Sequence, residues 1–213
     1  MPYSFEPQDR NSFLSHFTGI VYGLIYLIYI LFNHQKVSTA SLVGLIIFAT
    51  SMILLYAASS FYHYLSDSHP FKLTARKIDH SMIYFLIAGS YTPVCLTYMA
   101  FDKALVFVNV LFAIAFLGIF LKVFWIHAPR FVSTLLYLIM GWALLFDIPA
   151  FSSVPTALLY FLAAGGISYS IGAIIYIIKK PKISGLSFHD IFHYFILFGT
   201  IIQSIGYILC IIG

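Results

Sequence analysis

Between Lys103 and Lys122 the chain reads ALVFVNVLFAIAFLGIFL, which is 18 residues without a charged side chain. A helix needs about 20 residues, within a range of about 17–25, to cross the hydrocarbon core of a bilayer. The stretch is apolar on every side of a helix, as expected where the solvent is lipid rather than water. It therefore predicts a transmembrane helix.

The rest of the chain has the same character. Of its 213 residues, 62% are hydrophobic and 8% are charged, against about 25% charged in a typical soluble domain. The apolar runs are continuous and do not alternate with a period of two, which favours helices over a transmembrane barrel. The sequence predicts an all-α membrane protein in which residues 1–213 form a single seven-helix domain. The predicted spans are 13–33, 42–65, 80–99, 104–122, 129–147, 156–178 and 188–211.

The basic residues are distributed unevenly between the two ends of these spans. If the N-terminus is cytoplasmic, the outer segments carry only Lys36 and Lys103. The inner segments then carry Arg10, Lys72, Arg76, Lys77, Lys122, Arg130, Lys179, Lys180 and Lys182. The positive-inside rule thus predicts a cytoplasmic N-terminus and an external C-terminus. We expect a multi-pass protein of the cell membrane, in a bacterium the plasma membrane. Topology and anionic lipid explain the basic segments better than nucleic acid does.

Four polar side chains of metal-binding type fall at one predicted depth. His63 ends the second span, Asp79 comes just before the third, and His189 and His193 begin the seventh. Because successive spans run in opposite directions, all four are expected near the cytoplasmic face. Histidines four residues apart share one face of a helix, and three protein ligands plus a water are usual at a catalytic zinc ion. We therefore expect His63, His189 and His193 to bind zinc, with Asp79 as a fourth ligand or as a partner of the bound water.

Simpler interpretations of these residues remain open. Membrane histidines can bond a neighbouring helix without any metal, and Asp79 can cap the third helix, at whose N-terminus it is expected. The segment from His189 to His193 is similar to the H-E-x-x-H of zinc proteases, but Asp190 is one methylene shorter than glutamate. Ser59, four residues before His63, is expected to point into the same cavity as the histidines.

Other polar residues carry weaker signals. His16 is expected to bond a neighbouring helix rather than to bind metal, and His80 is given no role. Thr200, Gln203 and Ser204 continue roughly the His193 face of the last span. They are expected either to line an interior cavity or to bond other helices.

Four short motifs follow one another along the chain: Ser59-x3-His63, Lys77-Ile78-Asp79, Gly89-Ser90-Tyr91-Thr92-Pro93 and His189-x3-His193. In this combination nearly the whole chain resembles the hemolysin III family, which belongs with the progestin and adipoQ receptors, including the adiponectin receptors. The resemblance implies zinc on the three histidines near the cytoplasmic face, with the aspartate and the serine beside it. One departure is the stretch 9–16, DRNSFLSH, where the family often has E-x2-N-x2-T-H.

The resemblance also bears on function, because the wider group includes alkaline ceramidases. It implies a zinc-dependent hydrolase of membrane lipid amides that acts in membrane lipid homeostasis. Zn²⁺ would polarise the carbonyl and acidify a bound water. Asp79 would accept the proton of that water, and Ser59 would orient the water or stabilise an oxyanion. The alternatives are a cytolytic or pore-forming protein and a receptor or regulator in which zinc is structural.

Overall fold

The computed structural model describes residues 9–127, 129–181, 183 and 185–213. Over these residues the chain is almost entirely helical, and an isolated bridge between Ile183 and Leu186 is the one β-type pairing described. The all-α prediction is therefore confirmed. The helices are α1 Arg10–Phe32, α2 Thr39–Tyr64, α3 Lys72–Tyr98, α4 Phe101–Phe124, α5 Arg130–Gly141, α6 Thr156–Ile178 and α7 Phe188–Tyr207, with 3-10 turns at His34–Lys36, Ala143–Phe146 and Ile148–Phe151, and a π-helical turn at Ile208–Ile212.

Five of the helices are long and apolar enough to cross a membrane: α1, α2, α4, α6, and α7 with its π-helical turn. Helix α3 is long but more polar, and α5 has only 12 residues. The predicted fifth span, 129–147, is thus not one continuous helix, because α5 ends at Gly141 and two 3-10 turns follow it. The fold is a membrane helical bundle, and the number of spans stays a prediction.

The helices pack in the order in which they occur along the chain. Helix α1 packs against both α2 and α7, α2 packs on α3, and α3 packs on α4. Helix α5 contacts α3, α4 and α6, and α6 packs along α7. These contacts close into a ring, so that side chains from distant segments face one central space.

Small residues bring two of these helix pairs close together. A Cβ added to Gly44 of α2 would lie 2.7 Å from the carbonyl oxygen of Thr92 in α3. Gly165 of α6 and Gly199 of α7 face each other, since a Cβ on either would lie 3.1 or 3.0 Å from the carbonyl oxygen of the other. Glycine at such positions is typical of helix pairs in membranes, where close backbone packing replaces the hydrophobic effect.

The start of α3 corrects one expectation. The helix begins at Lys72 and its N-cap position is Phe71, so Asp79 lies about two turns inside the helix. The prediction that Asp79 sits at the helix N-terminus, where it could act as a cap, is wrong. Charged residues mark where an apolar run stops, but lysine and arginine are good helix formers, so the helix extends beyond the apolar run.

Candidate metal centre

Three histidines converge at one end of the bundle. His63 lies in the last turn of α2, and His189 and His193 lie in the first two turns of α7. One ring nitrogen from each residue lies within 4.8 Å of the other two. The ring centroids are 5.1 Å apart for His63 and His189, 4.8 Å for His63 and His193, and 4.6 Å for His189 and His193. The structure thus brings the three predicted ligands together.

The donor atoms of this cluster suit a metal ion. Nε2 of His63 and Nδ1 of His193 are buried and have no hydrogen-bond partner within the described ranges. An unpaired buried polar atom costs free energy unless something else binds it. Zinc binds imidazole nitrogens at about 2.0–2.1 Å, so movements of about an ångström would bring three nitrogens onto one ion. The residues present therefore fit a three-histidine zinc site.

An aspartate outside the predicted set supports His63. Oδ2 of Asp9 lies 3.0 Å from Nδ1 of His63, and the backbone N–H of Asp9 donates to the carbonyl oxygen of His63 at 3.2 Å. A carboxylate that accepts from Nδ1 leaves Nε2 unprotonated and aimed elsewhere. This carboxylate–histidine arrangement is the one that commonly orients metal-ligating imidazoles.

The same face of α1 contacts the segment of α7 that carries His189 and His193. Ser12 donates a hydrogen bond of 2.6 Å to Oδ1 of Asp190. The ring of His16 stacks on that of His193 with centroids 3.8 Å apart. Sequence reasoning assigned no role to Asp9 or Ser12. Asp9 and Ser12 are three residues apart, and Ser12 and His16 are four apart. This helical spacing could have identified the three as one face of α1.

His16 packs against α7. Both its ring nitrogens are buried and make no hydrogen bond of good geometry in the part of the chain that is described. Its contact with α7 is ring stacking on His193, and the hydrogen bond expected to a neighbouring helix stays a prediction. Its closeness to His193 makes it a supporting residue of the cluster.

Asp190 has a structural role. Its Oδ2 accepts from the backbone N–H and the hydroxyl of Ser187 at 2.9 and 2.8 Å, and the Ser187 hydroxyl accepts from the N–H of Asp190. These bonds form a capping box at the start of α7. With Ser12 on its other oxygen, the carboxylate has partners on both sides, unlike a general base next to a metal-bound water.

Asp79 and Ser59 lie beside the histidines. The Asp79 carboxylate is buried, and its electrostatic neighbours include His63, Arg76 and Lys72. The Ser59 hydroxyl lies next to that carboxylate but outside hydrogen-bond geometry. Among the described residues, neither Ser59 nor His63 lines the central cavity directly, while Asp79 beside them does. That Ser59 points toward the histidines stays a prediction. Ser59 lies where α2 contacts α3, next to Asp79.

A cavity of ≈ 130 Å³ extends from this site into the bundle, and all seven α-helices contribute to its wall. Its polar end contains Asp79, His189 and His193. Farther in, the wall is mainly apolar and aromatic, with Ile87, Tyr91, Val94, Leu138, Trp142, Leu162 and Ile196. The cavity therefore combines a cluster of ionisable groups with an apolar interior.

The polar residues of α7 divide between the two roles that were left open. Thr200 accepts hydrogen bonds from Tyr56 and is bonded to Tyr169, at 2.8 and 2.9 Å, and Ser204 bonds the hydroxyl of Tyr22 at 2.5 Å. Both residues thus connect helices. Gln203 lines the cavity.

The fold and the site define a class: a multi-pass helical protein of the cell membrane with a histidine cluster at one end of an internal cavity. Comparison with known proteins identifies the family. The family model "Haemolysin-III related" matches residues 7–204. The chain is 34% identical over 189 residues to "Hemolysin-3 homolog" of Bacillus subtilis (strain 168), covering 88% of this chain and 86% of that protein. It is 32% identical over 198 residues to "Hemolysin-3" of Bacillus cereus, covering 92% and 88%. This protein belongs to the haemolysin III family.

Proposed function

We propose that the protein is a zinc-dependent hydrolase of membrane lipid amides, similar in chemistry to a ceramidase. The observation that carries the proposal is the position of Asp79, His189 and His193 at the polar end of a cavity whose interior is apolar. An acyl chain in that interior would bring the amide carbonyl of its headgroup region close to these side chains. Binding that positions the scissile bond next to a catalytic group can supply much of the rate enhancement.

His63, His189 and His193 would hold the ion. Zn²⁺, when bound, polarises a carbonyl and makes a bound water acidic near neutral pH. Asp9 fixes the ring of His63 through Nδ1. Stacking of His16 against His193 restricts the second ring.

Asp79 is the proposed general base. It takes the proton from the attacking water and returns it to the leaving nitrogen as the C–N bond breaks, which leaves a fatty acid and a free amine. Ser59, next to the carboxylate and fully buried, is assigned to positioning Asp79 rather than to the oxyanion. Its hydroxyl lies next to the carboxylate, and a small reorientation would let it donate to the ionised form.

The test is metal analysis of the purified protein together with a lipid-release assay. We expect about one zinc per chain and release of fatty acid from a ceramide. A chelator should abolish the release, and zinc should restore it. The His189→Ala variant should bind zinc only weakly, because two of the three histidines remain. The matched control is His34→Ala, which changes an exposed histidine and should leave the zinc content unchanged. Wild-type zinc content in a triple alanine variant of the three ligands would exclude the site.

The name of the Bacillus cereus relative, "Hemolysin-3", favours a second candidate, a protein that permeabilises membranes. Leakage of a dye from liposomes that contain the purified protein tests this directly. Leakage that persists in the triple alanine variant, without fatty acid release in the wild type, would favour permeabilisation. A structural zinc in a regulator would instead give zinc content and stability without either activity.

A further inference from the structure

Lys122, in the last turn of α4, points into the bundle. Its side chain is 5% exposed, whereas its neighbours Val123 and Phe124 are 39% and 72% exposed. A lysine near the end of a membrane helix usually extends its ammonium to the aqueous interface. Lys122 lines the central cavity instead.

The ammonium group of Lys122 has no counter-charge among the residues that the structure describes. In the described part of the chain it makes neither an ion pair nor a hydrogen bond, although a buried charge is costly unless it is paired. Lys72 on α3 provides the contrast, since its Nζ donates to the carbonyl oxygens of Tyr62 and Leu65 at 3.1 and 2.8 Å and lies 3.5 Å from Asp67. Lys122 is therefore a largely buried lysine without an ionic partner among the described residues.

Other positive groups surround the same end of the cavity. Arg76 and Arg130 line it with Lys122, and Arg76 and His80 lie within electrostatic reach of Lys122. Among the described lining residues, Asp79 is the one carboxylate set against these three cations. An excess of fixed positive charge in a closed space attracts an anion, because little water is present to screen it.

Neutral hydrogen-bonding groups also lie along this part of the wall. The hydroxyl of Ser133 and Nδ1 of His80 are buried and make no hydrogen bond of good geometry within the described residues, and the Ser133 hydroxyl lies near that of Tyr84. Both residues line the cavity, and His80 lies within electrostatic reach of Lys122. A group with several acceptor oxygens could satisfy them together with the cations.

We propose that the polar end of the cavity binds the phosphate-type headgroup of a lipid whose chain lies in the apolar interior. Lys122 and Arg76 would contact the headgroup, and Ser133 and His80 would complete its hydrogen bonds. Phosphate presents three oxygens and about two negative charges, which suits several separate donors better than one carboxylate does. That such a lipid is also the substrate rests on the proposed hydrolase function; its binding does not.

The experiment measures binding to purified full-length protein in a non-ionic detergent. The probes are a fluorescent lysophosphatidic acid and a fluorescent monoacylglycerol with the same acyl chain, which lacks the phosphate. We expect the phosphate lipid to bind at least tenfold more tightly, since hydrogen bonds to charged groups are worth this much or more. Glycerol phosphate, which has the headgroup without the chain, should compete only at far higher concentration.

Substitutions locate the site. Lys122→Gln should reduce the affinity for the phosphate lipid about tenfold and leave the affinity for the neutral lipid unchanged. Lys122→Arg should keep most of the affinity for the phosphate lipid. The matched control is Lys103→Gln at the opposite end of the same helix, where the lysine is 54% exposed and lies 3.5 Å from Asp147. Arg76→Gln provides a second test if Lys122→Gln does not fold.

The outcomes separate this proposal from the hydrolase. Equal affinity for the two lipids, or equal effects of Lys122→Gln and Lys103→Gln, would overturn the headgroup site even if a neutral ceramide is hydrolysed. Glycerol phosphate that binds as tightly as the lipid would overturn the lipid assignment in favour of a soluble anion. Selective binding without hydrolysis of any lipid amide would uphold the headgroup site while the hydrolase proposal fails.

Discussion

The Asp9 carboxylate lies 3.0 Å from Nδ1 of His63, which connects the residue before α1 to the last turn of α2. His63 is 1% exposed and the Asp9 side chain is 51% exposed, so the contact spans the boundary between the buried cluster and its surroundings. A carboxylate in this position fixes which ring nitrogen is free to bind a metal.

Asp9→Asn is therefore expected to weaken zinc binding by about 10–100-fold, the range found when such supporting carboxylates are changed. The amide keeps the size of the side chain but removes the charge that favours a proton on Nδ1. Competition with a zinc chelator of known affinity measures the effect. Asp102→Asn, at an exposed aspartate that begins α4, is the control and should bind zinc like the wild type. An unchanged zinc affinity in Asp9→Asn would show that Asp9 does not support the metal site.

The contact between α2 and α3 predicts a difference between two glycines. Gly44→Ala places a methyl group 2.7 Å from the Thr92 carbonyl oxygen, so α2 and α3 must move apart at a cost of about 1–3 kcal/mol in the free energy of unfolding. Gly141→Ala, where a Cβ meets no atom within 4 Å, should be neutral or stabilising because alanine is the better helix former. Thermal unfolding of both variants in the same detergent measures this. Equal stability would contradict the tight packing described for Gly44.

The orientation in the membrane is a prediction from charge. With nine basic residues on one side and two on the other, a reporter that is active only in the cytoplasm should give no signal when fused after Gly213. The same reporter inserted at Asp67, in the segment between α2 and α3, should give a strong signal. A strong signal at Gly213 would place the C-terminus in the cytoplasm. Together with a cytoplasmic signal at Asp67, it would also mean that the number of spans between these two points is even rather than odd.

The convergence of the histidines was predictable because the ends of membrane spans lie at one or the other surface of the bilayer. Each span crosses the same thickness, so counting spans places the end of α2 and the start of α7 at one level. Counting spans does not say which helices are lateral neighbours. Ser12 meets Asp190 only because α1 packs against α7, and no charge or hydropathy pattern encodes that contact.

The rotation of each helix about its own axis could not be predicted from the sequence either. Lys122 counted only as a positive charge for topology, because an almost uniformly apolar helix such as α4 has no polar face from which its inward side could be inferred. The direction of its side chain depends on the packing of α4 against α3. For the same reason, the sequence alone does not say whether the Ser59 hydroxyl faces the histidines or the Asp79 carboxylate of α3.

The role of Asp79 decides between chemistry and a structural zinc. A capping role is excluded by its place inside α3, which begins at Lys72. Two roles are left: a general base at the cavity, and a buried partner for His63, Arg76 and Lys72.

Asp79→Asn separates these roles. Asparagine has the same shape and can still accept a hydrogen bond from Ser59, but it cannot take a proton from water at neutral pH. We expect this variant to fold and to keep its zinc while fatty acid release falls by about 100-fold or more, the usual contribution of a positioned base. Asp67→Asn, at an exposed aspartate paired with Lys72, should keep full activity. Full activity in Asp79→Asn would exclude the carboxylate as the base, and a wild type that releases no fatty acid from any lipid amide offered would favour the regulator with structural zinc.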